Sequence, residues 1–215
     1  MKKAIVIGGS RGIGKAISDS LKTLDFNVIA TSSKEVDTSN LENVKEFINE
    51  QKETDVLVLN TGGPPITKFF DITEEQWEKY HKQLFVGFCL LLQKLKVNDN
   101  GYIFLITSGA IKKPDPNLIL SSAYRLAFTS VLKTASLEFA ARNISCINLA
   151  PGPFKTDRLK DFVTDLEKFE QSLPMKRAGD PMEIGKFVKS IIENDIHYLS
   201  GIVINFDGGN STHVL

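Results

Sequence analysis

The residues with the clearest capacity for chemistry lie at the start of the chain. There Gly8-Gly9-Ser10-Arg11-Gly12-Ile13-Gly14 follows directly on an apolar run and opens an amphipathic one. Glycines in that setting permit a tight turn and let backbone N–H groups approach a pyrophosphate, which then rests at a helix N-terminus where the dipole favours an anion. The chemistry implied is dinucleotide binding, and placement between strand and helix carries that reading more than the letters do. Further along, Ser108 and Ser121 offer hydroxyls thirteen positions apart, and Arg125 stands one helical turn beyond Ser121. A serine hydroxyl is too weakly acidic to give up a proton readily. A guanidinium stays charged and relays no proton, yet it can hold a ribose or stabilise an oxyanion. Tyr124 is the neighbouring phenol; on a helix it points about 60° away from Ser121 and one turn along. It either leans into a pocket from the side or packs against a neighbour.

Positioning such groups requires a regular scaffold, and the pattern supplies one. Short apolar runs alternate with longer amphipathic stretches, the signature of βαβ units around a buried parallel sheet. The predicted strands are Ala4–Ile7, Asn27–Ala30, Val56–Leu59, Tyr102–Ile106, Ser145–Leu149 and Ile202–Asn205. The predicted helices are Gly14–Leu24, Leu41–Gln51, Glu74–Leu95, Ala123–Ala141, Leu159–Ser172 and Met182–Asn194. Thr73 ahead of Glu74-Glu75-Gln76, and Asp180 ahead of Pro181 with Glu183 at the third helical position, read as helix caps. With no linker, repeat or low-complexity segment, residues 1–215 read as a single α/β domain, a three-layer doubly wound parallel sheet of Rossmann type.

Landmarks along nearly the whole chain resemble the short-chain dehydrogenase/reductase family. The Gly-x3-Gly-x-Gly spacing of the first loop is similar to that family's, although Ile7 replaces its usual threonine. Asp37 resembles the aspartate near the adenine, and Asn60-Thr61-Gly62 the segment that lines the cofactor. Pro151-Gly152 with Thr156 resembles the segment reaching the nicotinamide, and Ser200-Gly201 with Asn205-Phe206-Asp207-Gly208-Gly209 the closing strand and turn. The resemblance implies a nicotinamide dinucleotide, a small-molecule carbonyl or alcohol substrate, and a homodimer or homotetramer built on Glu74–Leu95 and Ala123–Ala141. In that family a tyrosine handles the proton and a lysine four residues later lowers the tyrosine pKa and holds the ribose. A serine there binds the substrate oxygen, and an asparagine supports a water relay. Ser108, in Ile106-Thr107-Ser108, matches the serine, whereas Ser121, Arg125 and Leu84 stand at the tyrosine, lysine and asparagine positions. The chain thus resembles a divergent branch that combines Asn-Thr-Gly-Gly-Pro-Pro (Asn60 to Pro65) with an arginine at the lysine position.

Cofactor choice in that family is made at the end of the second strand, which here is Ser32, followed by Ser33 and Lys34. Hydroxyls and a cation suit the 2′-phosphate of NADP(H), which a carboxylate would repel. Arg11 is placed to reach the same phosphate, while Glu35 could instead face the ribose. The stretch Ser33 to Thr38 is much shorter than the resemblance implies, as though a helix and most of a strand were missing, which opens the adenine side.

Composition bounds the alternatives. Lys+Arg and Asp+Glu are equal at 26 each, so no positive field draws the chain to nucleic acid or an anionic membrane. Cys89 and Cys146 form no CxxC, and His81, His197 and His213 are scattered, so no metal site is expected. No long apolar run suggests a membrane span, and Met1–Gly8 is too short for a signal-peptide core, so a cytoplasmic location is expected. Three functions remain open: an NADP(H)-dependent oxidoreductase with an altered proton donor, a catalytically silent dinucleotide sensor, and an interaction module without ligand. The segment Phe154–Gln171 mixes Phe162, Val163, Leu166 and Phe169 with Lys155, Arg158 and Lys160, the composition of an apolar substrate lobe or of a lid packed on the core.

Overall fold

The computed structural model describes residues 1–212; His213 lies outside them. Six parallel strands form one sheet in the order β2-β1-β3-β4-β5-β6. They are β1 (Lys2–Val6), β2 (Phe26–Ala30), β3 (Glu53–Leu59), β4 (Lys96–Ile106), β5 (Ser145–Pro151) and β6 (Ile202–Phe206). The helices are α1 (Gly12–Leu21), α2 (Leu41–Gln51), α3 (Glu74–His81), α4 (Gly87–Lys94), α5 (Ile119–Ala140), α6 (Asp157–Lys160), α7 (Leu166–Ser172) and α8 (Pro181–Glu193).

Alternation along the strands divides the core between the two faces of the sheet. Ile5, Ile7, Leu57, Leu59, Ile103 and Leu105 join the helices α2, α4 and α5 through Val44, Phe88, Leu91, Phe128 and Leu132. Ala4, Val6, Val56, Val58, Phe104 and Ile106 meet α1 and α8 through Ile17, Leu21, Ile184 and Val188. Burying both faces is why the strands read as continuous apolar runs rather than alternating ones. Each of the larger side chains contributes about 1.5–3 kcal/mol by leaving water. Chain order reverses between β1 and its two neighbours, β2 and β3, leaving a crevice at the carboxyl ends of the strands, where ligands bind in sheets of this kind.

Both predicted caps form: Thr73 and Gln76 close a capping box on α3, and Asp180 and Glu183 close one on α8 with Pro181 in its first turn. Two predicted helices are corrected. Glu74–Leu95 is interrupted by a π turn at Lys82–Val86 between α3 and α4. Leu159–Ser172 divides into α6 and α7, because Asp165 caps a fresh start by accepting the Lys168 N–H. The strand predicted at Tyr102–Ile106 extends back to Lys96, where Lys96 and Val97 pair with Glu53 and Thr54 ahead of a register shift. No helix or strand stands between β2 and α2, and β2 is one of the sheet's two edge strands.

Candidate active site

Glycine placement is dictated by backbone crowding at the end of β1. Gly8 has φ +64°, and a Cβ there would lie 2.6 Å from the Asn60 carbonyl oxygen. A Cβ on Gly14 would lie 2.1 Å from the Gly8 carbonyl oxygen. Asn60, just past β3, ties the two segments together by donating from Nδ2 to that same Gly8 carbonyl at 2.9 Å. α1 then starts at Gly12 with no side-chain cap from Arg11 and no acidic residue in its first turn, leaving its leading amides without a partner from its own first turn. Ser10 is exposed, and Ile13 packs against the α1–α8 core.

At the ends of β3 and β4 the organising group is Arg125, 7% exposed on α5. It donates from Nη1 to the Ile106 carbonyl (2.8 Å), from Nη2 to the Thr61 carbonyl (3.1 Å) and from Nε to Ser121 Oγ (3.2 Å). Burial, with the nearby charge of Arg158, lowers its pKa to about 10, which still leaves it a cation at neutral pH. Ser108 lies two residues beyond Ile106; its oxygen accepts the Ala110 N–H at 3.2 Å, leaving its hydrogen to donate. Ser121 is buried with its oxygen engaged by Arg125. Ser108, Ser121, Arg125 and Thr61 therefore gather at the carboxyl ends of the central strands β3 and β4.

Tyr124 does not join them. Its hydroxyl donates to the Trp77 carbonyl at 3.1 Å and its ring packs edge-on to Trp77, joining α5 to α3. Burial raises its pKa, which further disfavours the phenolate. Leu84 is buried in the π turn. Gln83 beside it donates from Nε2 to the Gly62 carbonyl (2.9 Å) and to Thr61 Oγ1 (3.2 Å). The sequence reading missed Gln83, because a regular helix gives no sign of a π turn.

At the end of β2, Ser32 donates its backbone N–H to Glu35 at 2.7 Å and its hydroxyl to the same carboxylate oxygen. These bonds hold the Glu35 carboxyl below the usual carboxylate range. Ser33 and Lys34 are exposed. Asp37 accepts from the Ser39 N–H (2.9 Å) and hydroxyl (2.8 Å), shaping the turn before α2. Arg11 points across the cleft rather than only along it: its Nη2 is the nearest atom to a Cβ built on Gly62, at 3.9 Å.

The lid follows β5. Pro151 ends the strand, and Gly152 donates to the Phe206 carbonyl at 3.0 Å. Thr156 stands over the glycine loop, its methyl 3.4 Å from a Cβ built on Gly12. Arg158, on α6, donates from Nη2 to the Pro64 carbonyl at 2.5 Å and from Nη1 to Asp161 at 3.0 Å. Its guanidinium lies 4.7 Å over the Phe162 ring. This crossing contact, unpredicted from sequence, joins lid and loop.

A family model described as enoyl-(acyl carrier protein) reductase matches residues 34–211. Among similar curated proteins, NADPH-dependent reductase BacG of Bacillus subtilis is 27% identical, covering 97% of each chain. The 3-oxoacyl-[acyl-carrier-protein] reductase FabG of Buchnera aphidicola is 25% identical over 97% of this chain and 96% of its own. Among solved structures, a short-chain dehydrogenase from Burkholderia cenocepacia in complex with NADP shares the fold with a TM-score of 0.88 at 20% identity, covering 97% of each chain.

Proposed function

The chain belongs to the short-chain dehydrogenase/reductase family, and on that premise we propose that it is an NADP(H)-dependent oxidoreductase acting on a carbonyl or secondary alcohol through altered proton-handling groups. The observation that carries this reading is the glycine loop: an uncapped α1 N-terminus beside a turn packed so closely at Gly8 and Gly14 that a side chain there would strike the loop's own backbone, braced by Asn60. Such a cradle fits a pyrophosphate. Thr61, Gly62, Arg125, Pro151, Gly152 and Thr156 line the crevice beyond it. When bound, the reduced nicotinamide supplies a hydride. Ser108 donates its free hydroxyl hydrogen to the substrate oxygen, and the buried Arg125 charge stabilises the negative charge developing there. A serine hydroxyl gives up its proton too reluctantly to serve, and the Tyr124 hydrogen is held by the Trp77 carbonyl, so water delivers the proton.

Lys34, Ser33 and the absence of an acid at position 32 support the choice of NADP(H), as do the NADPH dependence in BacG's name and the NADP bound in the Burkholderia structure. Titration following nicotinamide fluorescence tests it, with tighter binding of NADPH than NADH expected and equal affinities overturning the choice. Incubation with NADPH and a panel of aldehydes, ketones and quinones tests turnover, which Ser108→Ala abolishes without weakening NADPH.

A second reading, a silent NADP(H) sensor, is favoured by one observation, the diversion of Tyr124 to Trp77. It becomes the better one if both the wild type and the Ser121→Tyr, Arg125→Lys double variant bind NADPH and reduce nothing. The chain assembles as a homodimer or homotetramer through α5, whose Leu126 and Leu137 are 52% and 73% exposed. Light scattering showing a monomer at micromolar concentration would contradict this. A cytoplasmic setting suits the free thiols of Cys89 and Cys146.

A further inference from the structure

Three guanidinium groups follow one another along the loop Thr61-Gly62-Gly63-Pro64. Arg125 bonds the Thr61 carbonyl, Arg11 reaches to within 3.9 Å of a Cβ built on Gly62, and Arg158 lies 3.5 Å from one built on Gly63 while bonding the Pro64 carbonyl. Carboxylates in direct contact with them are few, although Asp157 lies within electrostatic reach of Arg11. Among the described residues none lies within salt-bridge distance of Arg11 or Arg125, and Arg158 has only Asp161, whose side chain is 54% exposed. Asp157 is taken by Lys160 at 2.7 Å. Arg125 is the telling member. It is a buried cation whose three hydrogen bonds all go to neutral oxygens, and a guanidinium has five N–H groups to place. A buried charge without a counter-charge is costly, and an anionic ligand relieves the cost. In the reading proposed above, the cofactor's phosphates are met elsewhere, its pyrophosphate at the α1 N-terminus and its 2′-phosphate beside Ser33 and Lys34. The charge of Arg125 and Arg158 is then left for the second ligand.

We propose that the carbonyl substrate carries an anionic group, a carboxylate or a phosphate, which Arg158 receives at the mouth of the cleft with the buried charge of Arg125 behind it. Arg158 suits this task. It is held by one backbone carbonyl and one exposed carboxylate, so an incoming anion replaces Asp161 while the Pro64 contact keeps the planar fork oriented. Phe162 beneath the guanidinium offers an apolar surface to the carbon frame of the ligand.

This inference rests on the oxidoreductase reading, and the test separates the two. Protein saturated with NADPH is titrated calorimetrically with benzoylformate against its methyl ester, and with glyceraldehyde 3-phosphate against glyceraldehyde. At least one anion is expected to bind about tenfold more tightly than its neutral partner, the scale of one charge-assisted bidentate contact; the pair showing the larger preference identifies carboxylate or phosphate. In Arg158→Gln the preference collapses while NADPH affinity holds, and Arg158→Lys restores part of it. Equal binding of anionic and neutral partners, no binding of any probe by the NADPH complex, or a preference that survives Arg158→Gln overturns the inference. So does a loss of NADPH affinity in Arg158→Gln as large as the loss for the anion, because the guanidinium then serves the cofactor. Reduction of neutral carbonyls without any anion preference sinks the substrate class alone, whereas failure to bind NADPH sinks the reading beneath it.

Discussion

Substituting Gly14 by alanine sets two well-measured effects against each other. Away from its surroundings the change favours the helix, by up to about 1 kcal/mol in an interior position and less in a first turn. In place, the new Cβ would lie 2.1 Å from the Gly8 carbonyl oxygen, 2.7 Å from Asn60 Nδ2 and 2.9 Å from the Gly8 carbonyl carbon. Two of the three are backbone atoms that cannot rotate away, so the loop must retreat by about 1.4 Å to reach an ordinary contact of about 3.5 Å. Overpacking of this kind costs about 1–3 kcal/mol. The retreat also breaks the 2.9 Å bond from Asn60 to Gly8, worth about 1 kcal/mol. The clash wins, and a net loss of about 2 kcal/mol is expected, which for a chain of this length lowers Tm by roughly 4–8 °C. Thermal unfolding with and without NADPH measures both consequences, since a displaced cradle also forfeits the stabilisation that a bound dinucleotide confers. A Gly14→Ala variant that melts at or above the wild-type temperature and keeps its NADPH affinity would show that neither the crowding nor the cradle matters, and would refute the reasoning.

Arg125→Met keeps much of the side chain's length but leaves the Ile106 and Thr61 carbonyls without their donor; denaturant unfolding should show a loss of about 1–3 kcal/mol. A gain would mean that the desolvation of the cation outweighs its hydrogen bonds. Glu35→Gln removes the carboxylate that holds both Ser32 donors, so NADPH should bind about 3- to 10-fold more tightly and NADH almost unchanged. An equal change for both dinucleotides would contradict the competition. Burial, aided by Asp195, raises the Tyr102 pKa from 10 to about 12. Because the folded value lies above the unfolded one, the stabilisation is complete below pH 10 and is lost as pH rises through 12. Tyr102→Phe, which also gives up the 3.0 Å contact with His197, should flatten that alkaline decline; an unchanged slope between pH 10 and 12 would assign it to other groups.

How much of this was legible beforehand differs from element to element. The inner strands, buried on both faces, carry their own signature, while the outer β2 and β6 show only short apolar runs in the alternating pattern; β1 starts at Lys2 rather than Ala4 because exposed Lys2 and half-buried Lys3 still pair with Phe26 and Asn27. Caps are equally local: a hydroxyl or carboxylate needs only its own next three residues, which is why Thr73 and Asp180 were readable. The glycine loop belongs to the same class, its spacing set by the turn between one strand and one helix. Ser108, Ser121 and Arg125 were named by matching positions, and the fold brings Arg125 on α5 to the carbonyls of Ile106 and Thr61 at the ends of β4 and β3.

Sequence alone therefore determined what depends on neighbours along the chain: the strands, the capped helix starts, the glycine turn and the order that makes a doubly wound sheet. Tertiary structure decided everything that depends on distant partners. Tyr124 turns to a carbonyl 47 residues away on Trp77, and Arg158 crosses to one 94 residues away on Pro64. Glu35, only three residues from Ser32, was visible as a charge, but its capture of both Ser32 donors required the folded turn. The π turn that brings Gln83 onto Thr61 and Gly62 leaves no mark on apolar periodicity. A side chain's direction is set by which unpaired donor or acceptor the fold brings within about 3 Å of it, and no local pattern of residues contains that information.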